Sequence, residues 1–475
     1  MEQPRSASVL AQYSQPDTAR LSAALAAEAN ANQRKIIVLD DDPTGVQTVH
    51  DIFVYTDWSI ESLRKGFAAP EKLFFILTNS RGFTVAETTK AHIEIAEHVD
   101  QVAREFGMDY LIISRGDSTL RGHYPLETDL LRQVAEKKGG FAMDGEILCP
   151  YFKEGGRFTL DNVHYVRYGD ELVPCGQTEF AKDETFGYTS SNLCDYIEEK
   201  TAGKFRAGDV TCISLESLRA LDFDGIEAQL LAVHDFGKVV VNAVEDCDVQ
   251  AFAVALYRAM AKGRHFTIRC AAALVKAIGN ISSQPLLSRE QMVTLKSSAG
   301  GIIVVGSHTK KTTAQLEELK NVPGIEFIEM DSDKVLIPGA LEQEAASIIE
   351  RCARLIQQGT TCCVSTKRTV LTLPDDTPEA ALVRSVAISD ALQSCVGKLP
   401  VTPAFVVAKG GITSSDVGVK ALRVQCARVL GQIRPGIPVW QTGPESLFPG
   451  TPYVIFPGNV GEVSTLREAV EILLG

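Results

Sequence analysis

Residues 35–45 read KIIVLDDDPTG, and this stretch decides the fold. Lys35 to Leu39 form an apolar run the length of a buried strand, and the run stops on three consecutive aspartates, Asp40, Asp41 and Asp42. Similar runs recur outward from it: Lys72–Thr78 (KLFFILT), Tyr110–Ser114 (YLIIS), Val210–Ser214 (VTCIS) and Lys238–Asn242 (KVVVN). Helical stretches such as Val85–Phe106 and Ile226–His234 separate many of them. Apolar strands alternating with amphipathic helices predict an α/β architecture with a largely parallel sheet.

A second series begins at Gly301–Gly306 (GIIVVG) and runs through Glu326–Met330, Cys362–Thr366 and Ala404–Lys409. Helices are expected at 312–320, 341–358 and 378–398, and after Thr413. The stretch 280–289 between the two series is polar with one proline, a linker composition. The expected organisation is an N-terminal arm over 1–33, a domain over 34–290 and a second domain over 291–475. Each domain is expected to hold a largely parallel sheet flanked by helices.

The chain has 475 residues, 45% hydrophobic and 23% charged, which suits two or three globular domains. No run of about 20 apolar residues occurs, so a membrane span is not expected. The net charge of −13, from 47 basic and 60 acidic residues, opposes binding to a phosphate backbone, so nucleic acid is not expected as a partner. The N-terminus lacks a basic-then-apolar signal, and the eleven cysteines form no C-x-x-C pair. A cytoplasmic protein with reduced thiols is expected. The arm could pack on a neighbouring subunit of a homo-oligomer.

In open parallel sheets, ligands sit beyond the carboxyl ends of the strands. Three segments there share a character. Asp40-Asp-Asp42 masses carboxylates that ordinarily need a cation, a cationic ligand or solvent to relieve them, and Asp41 or Asp42 could act as a base or reach a hydroxyl. Asn79-Ser80-Arg81-Gly82 places a guanidinium fork straight after a strand. Arg115-Gly-Asp-Ser-Thr-Leu-Arg-Gly-His123 packs Arg115, Asp117, Ser118 and Arg121 into one loop. An anionic, hydroxylated ligand would use all of these groups.

The second series carries Gly306-Ser-His-Thr-Lys-Lys-Thr312, Lys409-Gly-Gly-Ile-Thr-Ser-Ser-Asp416 and Pro457-Gly-Asn-Val-Gly461. Each is a Gly- and hydroxyl-rich turn at a strand end, suited to phosphate, although G-x-x-x-x-G-K-[ST] is absent. No G-x-G-x-x-G, H-E-x-x-H or EF-hand pattern occurs, which removes support for dehydrogenase, zinc-protease and calcium-binding readings. His50, His123 and His308 lie in or beside motifs and read equally well as hydrogen-bonded structural residues.

These motifs, taken in order, resemble the four-carbon acid sugar kinase family. The resemblance rests on DDPTG at 41–45, NSRG at 79–82, RGDSTLRGH at 115–123 and GGR at 155–157 with TEFAKD at 178–183. It continues in GSHTKKT at 306–312, KGGITSSDV at 409–417 and PGNVG at 457–461. It implies two α/β domains, a sugar-acid site on the first and an ATP site on the second, with Mg²⁺ on the phosphates. Asp42 or Asp117 would be the base that accepts the hydroxyl proton. Asp41, Ser80, Arg81, Arg115, Ser118 and Arg121 would bind the sugar acid. Ser307, Gly410, Gly411, Ile412, Thr413 and Gly458 would line the ATP site; metal ligands are not assigned.

Two departures fall on the sugar side: DDPTG where the family has closer to DDLTG, and Asn242 where an aspartate is common. The expected activity is ATP-dependent phosphorylation of a hydroxyl on a small, four-carbon sugar acid. Two alternatives stand beside it: a non-catalytic sugar-acid-binding protein on the same fold, and a lyase or aldolase acting on sugar acids.

Overall fold

The structure is a computed structural model that describes residues 2–294, 297–374, 376–458 and 460–475. The chain forms two compact units: residues 1–45 with 57–283, and residues 46–56 with 284–475.

The first unit is built on seven strands, all parallel. Their spatial order is Thr211–Ile213, Gly237–Val241, Gly145–Cys149, Phe266–Cys270, Tyr110–Arg115, Lys35–Asp40 and Leu73–Leu77. All six residues of Lys35–Asp40 and all five of Leu73–Leu77 are buried. Strands covered on both faces read as unbroken apolar runs, as these do. The helix Val85–Phe106 covers one face; a Thr84–Glu87 capping box starts it and Gly107 at φ 61° ends it.

Lys35–Asp40 has Leu73–Leu77 on one side and Tyr110–Arg115 on the other. The strands that follow it in sequence therefore leave in opposite directions. That reversal opens a crevice at the carboxyl ends, a topological switch point.

The expected arm does not stand apart. Helix Thr18–Ala31 is capped by Asp17 and buries Leu21, Leu25 and Ala29. Glu28 pairs with Arg258 of helix Asp246–Ala261 at 2.8 Å. Arg5–Ser6 extends a small antiparallel sheet by pairing with Glu171–Pro174, next to Val163–Tyr168 and Arg157–Leu160.

In the second unit, five parallel strands run in the order Ile325–Met330, Thr361–Thr366, Ile302–Val305, Val406–Lys409 and Pro452–Phe456. The sheet continues antiparallel through Ile437–Thr442, Cys426–Arg434 and Ile52–Tyr55. A contiguous division at 290 was expected; the chain departs from it twice. Residues 46–56 supply that last strand, and the second unit starts at Gln284, whose Nε2 donates to Leu430 O at 2.7 Å. Both departures rest on pairings more than a hundred residues apart, which local composition does not record. Among the described residues, no helix is long and apolar enough to cross a membrane.

Candidate active site

Strand register brings the first three segments together. Asp40 lies opposite Leu77 on one side and Arg115 on the other, so 40–45, 78–82 and 116–123 leave the sheet at one level. Arg115 Nη1 donates to Asp40 Oδ1 at 2.9 Å, with both side chains buried. Burial pushes the Asp40 carboxyl up to about 7, against the opposing pull of Arg115. A Cβ on Gly45 would lie 2.0 Å from Asp40 Oδ1, so only glycine lets the turn fold over this pair.

The aspartate triplet was expected to need a cation, a cationic ligand or solvent. The chain supplies the cations itself. Arg81 Nη2 reaches Asp41 Oδ1 at 2.6 Å and its Nη1 reaches Asp42 Oδ2 at 3.2 Å. Arg269 Nη2 stands 3.8 Å from Asp41 Oδ2. Burial raises the Asp42 carboxyl, but Arg81 and hydrogen bonds from Thr44 outweigh it and hold Asp42 below its ordinary value.

Beneath this layer Arg269 is anchored by Glu127, and Arg269 Nη1 also donates to Ser114 Oγ at 2.8 Å. Glu127 accepts from Ser80 Oγ at 2.8 Å. Ser80, expected on the substrate, is therefore turned inward; it is 1% exposed and its hydroxyl serves Glu127. The glycines of the third segment make room for Arg269. A Cβ on Gly116 would sit 2.2 Å from its Cζ, and one on Gly122, at φ 130°, 2.4 Å from its Nη2.

The 116–123 loop is held from its backbone. His164 Nε2 meets Ser118 O at 2.8 Å, Tyr188 OH donates to Thr119 O at 2.7 Å, and Tyr196 OH to Leu120 O at 3.0 Å. Burial lowers the His164 pKa to about 4 and keeps the ring neutral. Asp117 accepts from Arg121 Nε at 2.7 Å and from the Thr119 hydroxyl. Burial opposes its ionisation, yet Arg81 and Arg121 hold Asp117 well below the usual carboxylate range. Arg121 and Arg157 both lie over the ring of Phe180, at 5.2 and 5.4 Å from its centroid. The buried Nε of Arg157 has no hydrogen-bond partner among the described residues. His123 is tied to the backbone, its Nε2 meeting Phe83 O at 2.9 Å.

The second unit gathers its turns in the same way. Val305 and Phe456 both lie opposite Lys409, so Gly306, Gly410 and Pro457 leave the sheet together. Thr309 and Thr312 hydroxyls donate to Gly458 O at 3.0 and 2.9 Å, and Thr312 Oγ1 lies within hydrogen-bond distance of Ser307 Oγ at 2.9 Å. A Cβ on Gly410, at φ 130°, would meet Ser307 at 3.2 Å, and one on Gly458 would meet Ser307 Oγ at 2.9 Å. The backbone thus lies bare around Ser307. Beside it opens a cavity of about 670 Å³, within the usual range for small-molecule sites, lined by Ser307, Gly410, Gly411, Ile412 and Thr413. Lys409 is fully buried, with Nζ on Pro457 O at 2.6 Å. Burial, then the nearby Lys311, lowers its pKa to about 7. Asn459 lies outside the described residues.

Asp41, Asp42, Arg81 and Arg115 are thus joined through ion pairs, Asp117 and Arg121 form a separate pair, and Ser307, Gly410 and Thr413 share one pocket edge with Gly458 packed against Ser307. Sequence reasoning missed Glu127, Arg157, Arg269 and Lys409 as site members. Arg269 carried a signal: a charge inside the buried run Phe266–Cys270 (FTIRC) needs a partner. Asn242, the departure from the family pattern, uses its amide both ways. It donates to Asn162 Oδ1 at 2.8 Å and Ile213 O at 2.9 Å, and accepts from Asn162 N at 2.7 Å.

Family models match both units. A sugar-binding N-terminal domain matches residues 36–278 and a nucleotide-binding C-terminal domain matches 302–466. The chain is 23% identical over 369 residues to the D-threonate kinase of Salmonella typhimurium strain LT2, covering 76% of this chain and 80% of the relative. Two crystal structures share the fold. Haemophilus influenzae protein HI1011 aligns at TM-score 0.60 and 17% identity, over 92% of this chain and all of its own. A Salmonella typhimurium LT2 protein with a provisional tRNA-synthase name aligns at 0.66 and 14%, over 91% and 98%. At these identities the two structures speak for the fold alone.

Proposed function

The chain belongs to the four-carbon acid sugar kinase family, and on that premise we propose that it transfers the γ-phosphoryl group of ATP to a hydroxyl of a small sugar acid, a four-carbon acid in the simplest case. The observation that carries this reading is the set of charges around Asp117. Three arginines beside it are ion-paired within the unit: Arg115 through Nη1 with Asp40, Arg81 with Asp41 and Asp42, and Arg269 with Glu127. Arg121 and Arg157 flank Phe180 with donor capacity remaining, and they are our candidates for the substrate carboxylate. Arg115 then acts as a positioning residue for Asp40 and Asp41.

Phosphoryl transfer asks a protein chiefly to position and to neutralise. Asp117, or Asp42, would accept a hydrogen bond from the attacking hydroxyl and take its proton as the bond to phosphorus forms. The Ser307, Thr309 and Thr312 hydroxyls and the bare turns at Gly410 and Gly458 fit a polyphosphate, and the adjoining cavity has room for a nucleoside. Mg²⁺ would neutralise the phosphates and ride chiefly on their oxygens, since among the described residues no group of three or more His, Cys, Asp or Glu is arranged to hold a metal.

The test is ADP release from Mg²⁺-ATP against threonate, erythronate and 3-oxo-tetronate, extended to five- and six-carbon acids. Release that depends on one acid supports the proposal and identifies the substrate. Binding of an acid without ADP release in any buffer favours a non-catalytic binder and overturns it.

A further inference from the structure

The parallel sheet of the first unit has a second end. At the amino ends of its strands, opposite the aspartates and arginines, lies a cleft of about 650 Å³. We propose that this cleft binds a small planar, apolar carboxylate, with its ring on the sheet and its single anionic group on Arg34.

The floor is unusual for a central strand. Ile112 lies in Tyr110–Arg115, which is paired on both sides, yet its side chain is not closed off. Its neighbours Ile37, Val38 and Ile268 are all 0% exposed. The helices above the sheet leave Ile112 open to the cleft. Beside it Thr267, only 3% exposed, turns a hydroxyl that finds no partner among the described residues. Buried hydroxyls are ordinarily paired, so Thr267 remains open to an oxygen of the ligand's one carboxylate. Three of the chain's six methionines, Met108, Met143 and Met260, line the same cleft. Their flexible thioethers mould to apolar ligands. Phe141 and His265 add a flat wall, stacked at 4.0 Å and 21°.

Charge selects the head group. Arg104, Arg264 and Lys138, which also line the cleft, are paired with Asp100 at 3.0 Å, Asp144 at 2.6 Å and Glu97 at 3.6 Å. Arg34 donates only to Met260 O at 3.3 Å and has no carboxylate within ion-pair distance among the described residues. Asp109 also lines the cleft, which disfavours a dianion. One open guanidinium beside one carboxylate suits a monoanion. The apolar floor rejects a polyhydroxy acid, so this ligand differs in class from the sugar acid proposed above, and the inference stands whether or not that proposal holds.

The test uses the full chain and 2-naphthoate, titrated by calorimetry, with 2-naphthylmethanol as the neutral analogue. The expected result is saturable one-to-one binding, at least about tenfold tighter for the anion. Arg34→Gln, at a partly exposed side chain, should remove that preference and leave the alcohol's affinity unchanged. Leu131→Trp should fill the cleft and abolish binding of both; should it fail to fold, Arg34→Gln still decides. No saturable binding at millimolar naphthoate, equal affinity for acid and alcohol, or anion affinity unchanged in Arg34→Gln each overturns the proposal. So does competition by threonate, which would put the naphthoate at the other end of the sheet.

Discussion

Glu127→Gln replaces the carboxylate that anchors Arg269 with an amide that cannot serve the same donors. Glu127 is 2% exposed and takes hydrogen bonds from Arg269, Ser80 and Ser114. Burial raises its carboxyl, but Arg269, then His92 and Ser80, outweigh burial and lower the pKa from 4.5 to about 2. At about 1.4 kcal/mol per pH unit, the carboxylate contributes roughly 3 kcal/mol at neutral pH. That agrees with the roughly 3–5 kcal/mol lost when a buried ion pair loses one partner. The folded carboxyl is the stronger acid, so its contribution is complete above the unfolded pKa and is lost as pH falls from about 4.5 to about 2. By pH 3.5, roughly 1.4 kcal/mol of it should be gone. Glutamine does not titrate there, so the gap between wild type and variant narrows by that amount. Hydrogen exchange of the amides in Tyr110–Arg115 and Phe266–Cys270 reads the opening free energy of this part of the sheet at both pH values. A gap below about 1 kcal/mol at pH 7, or one equal at the two pH values, refutes the buried-pair reasoning.

The remaining predictions concern the two candidate sites and the departure at Asn242. Asp42→Asn and Asp117→Asn, made separately, should leave the protein folded, and loss of the true base should cut turnover by about 10²–10⁴-fold. Near-wild-type turnover in both removes the base assignment. Asn242→Asp should cost about 1–3 kcal/mol, because a carboxylate then faces Asn162 Oδ1 and Ile213 O, both acceptors. The loss should shrink at pH 4, and an unchanged thermal midpoint at pH 7 would discard the hydrogen-bond assignment. Lys409, at about 7 against an ordinary 10.5, binds fewer protons folded than unfolded, so it contributes stability that grows as pH rises through that window. Polyphosphate near it should draw a proton back. Calorimetry at pH 8 in buffers of different ionisation enthalpy should show proton uptake on ATP binding, absent in Lys409→Met; uptake that survives the substitution refutes the role.

What was legible in the chain was local. Val85–Phe106 reads as a helix from its periodicity and forms over those same residues, because a capping box and a glycine mark its ends. The segments after Leu39, Leu77 and Ser114 were legible as one group because strand ends in a parallel sheet share a level. Residues 46–56 were not legible as part of the second unit: Ile52–Tyr55 pairs with Cys426–Arg434, and nothing within a dozen residues announces that partner. The inward turn of Ser80 was hidden for the same reason, since its acceptor Glu127 sits on the helix Leu126–Gly139.

The charge pattern also shows which cations meet the aspartate triplet. Read along the chain, Asp40, Asp41 and Asp42 look like an uncompensated demand for a cation. In the folded unit they meet Arg81, Arg115 and Arg269, while Asp117 meets Arg121. A cluster balanced internally draws an anionic substrate weakly by net charge, because each arginine's field is cancelled nearby. Recognition must then come from donors whose directions are fixed and whose partners are incomplete. Arg157, held beside Arg121 against the ring of Phe180 with its buried Nε unpartnered among the described residues, has that property; Arg115, 5% exposed, also leaves its Nε unpartnered but commits Nη1 to Asp40. Density of charged residues in a motif therefore locates the site, but the arginines that the fold leaves unsatisfied are the ones available to choose what enters it.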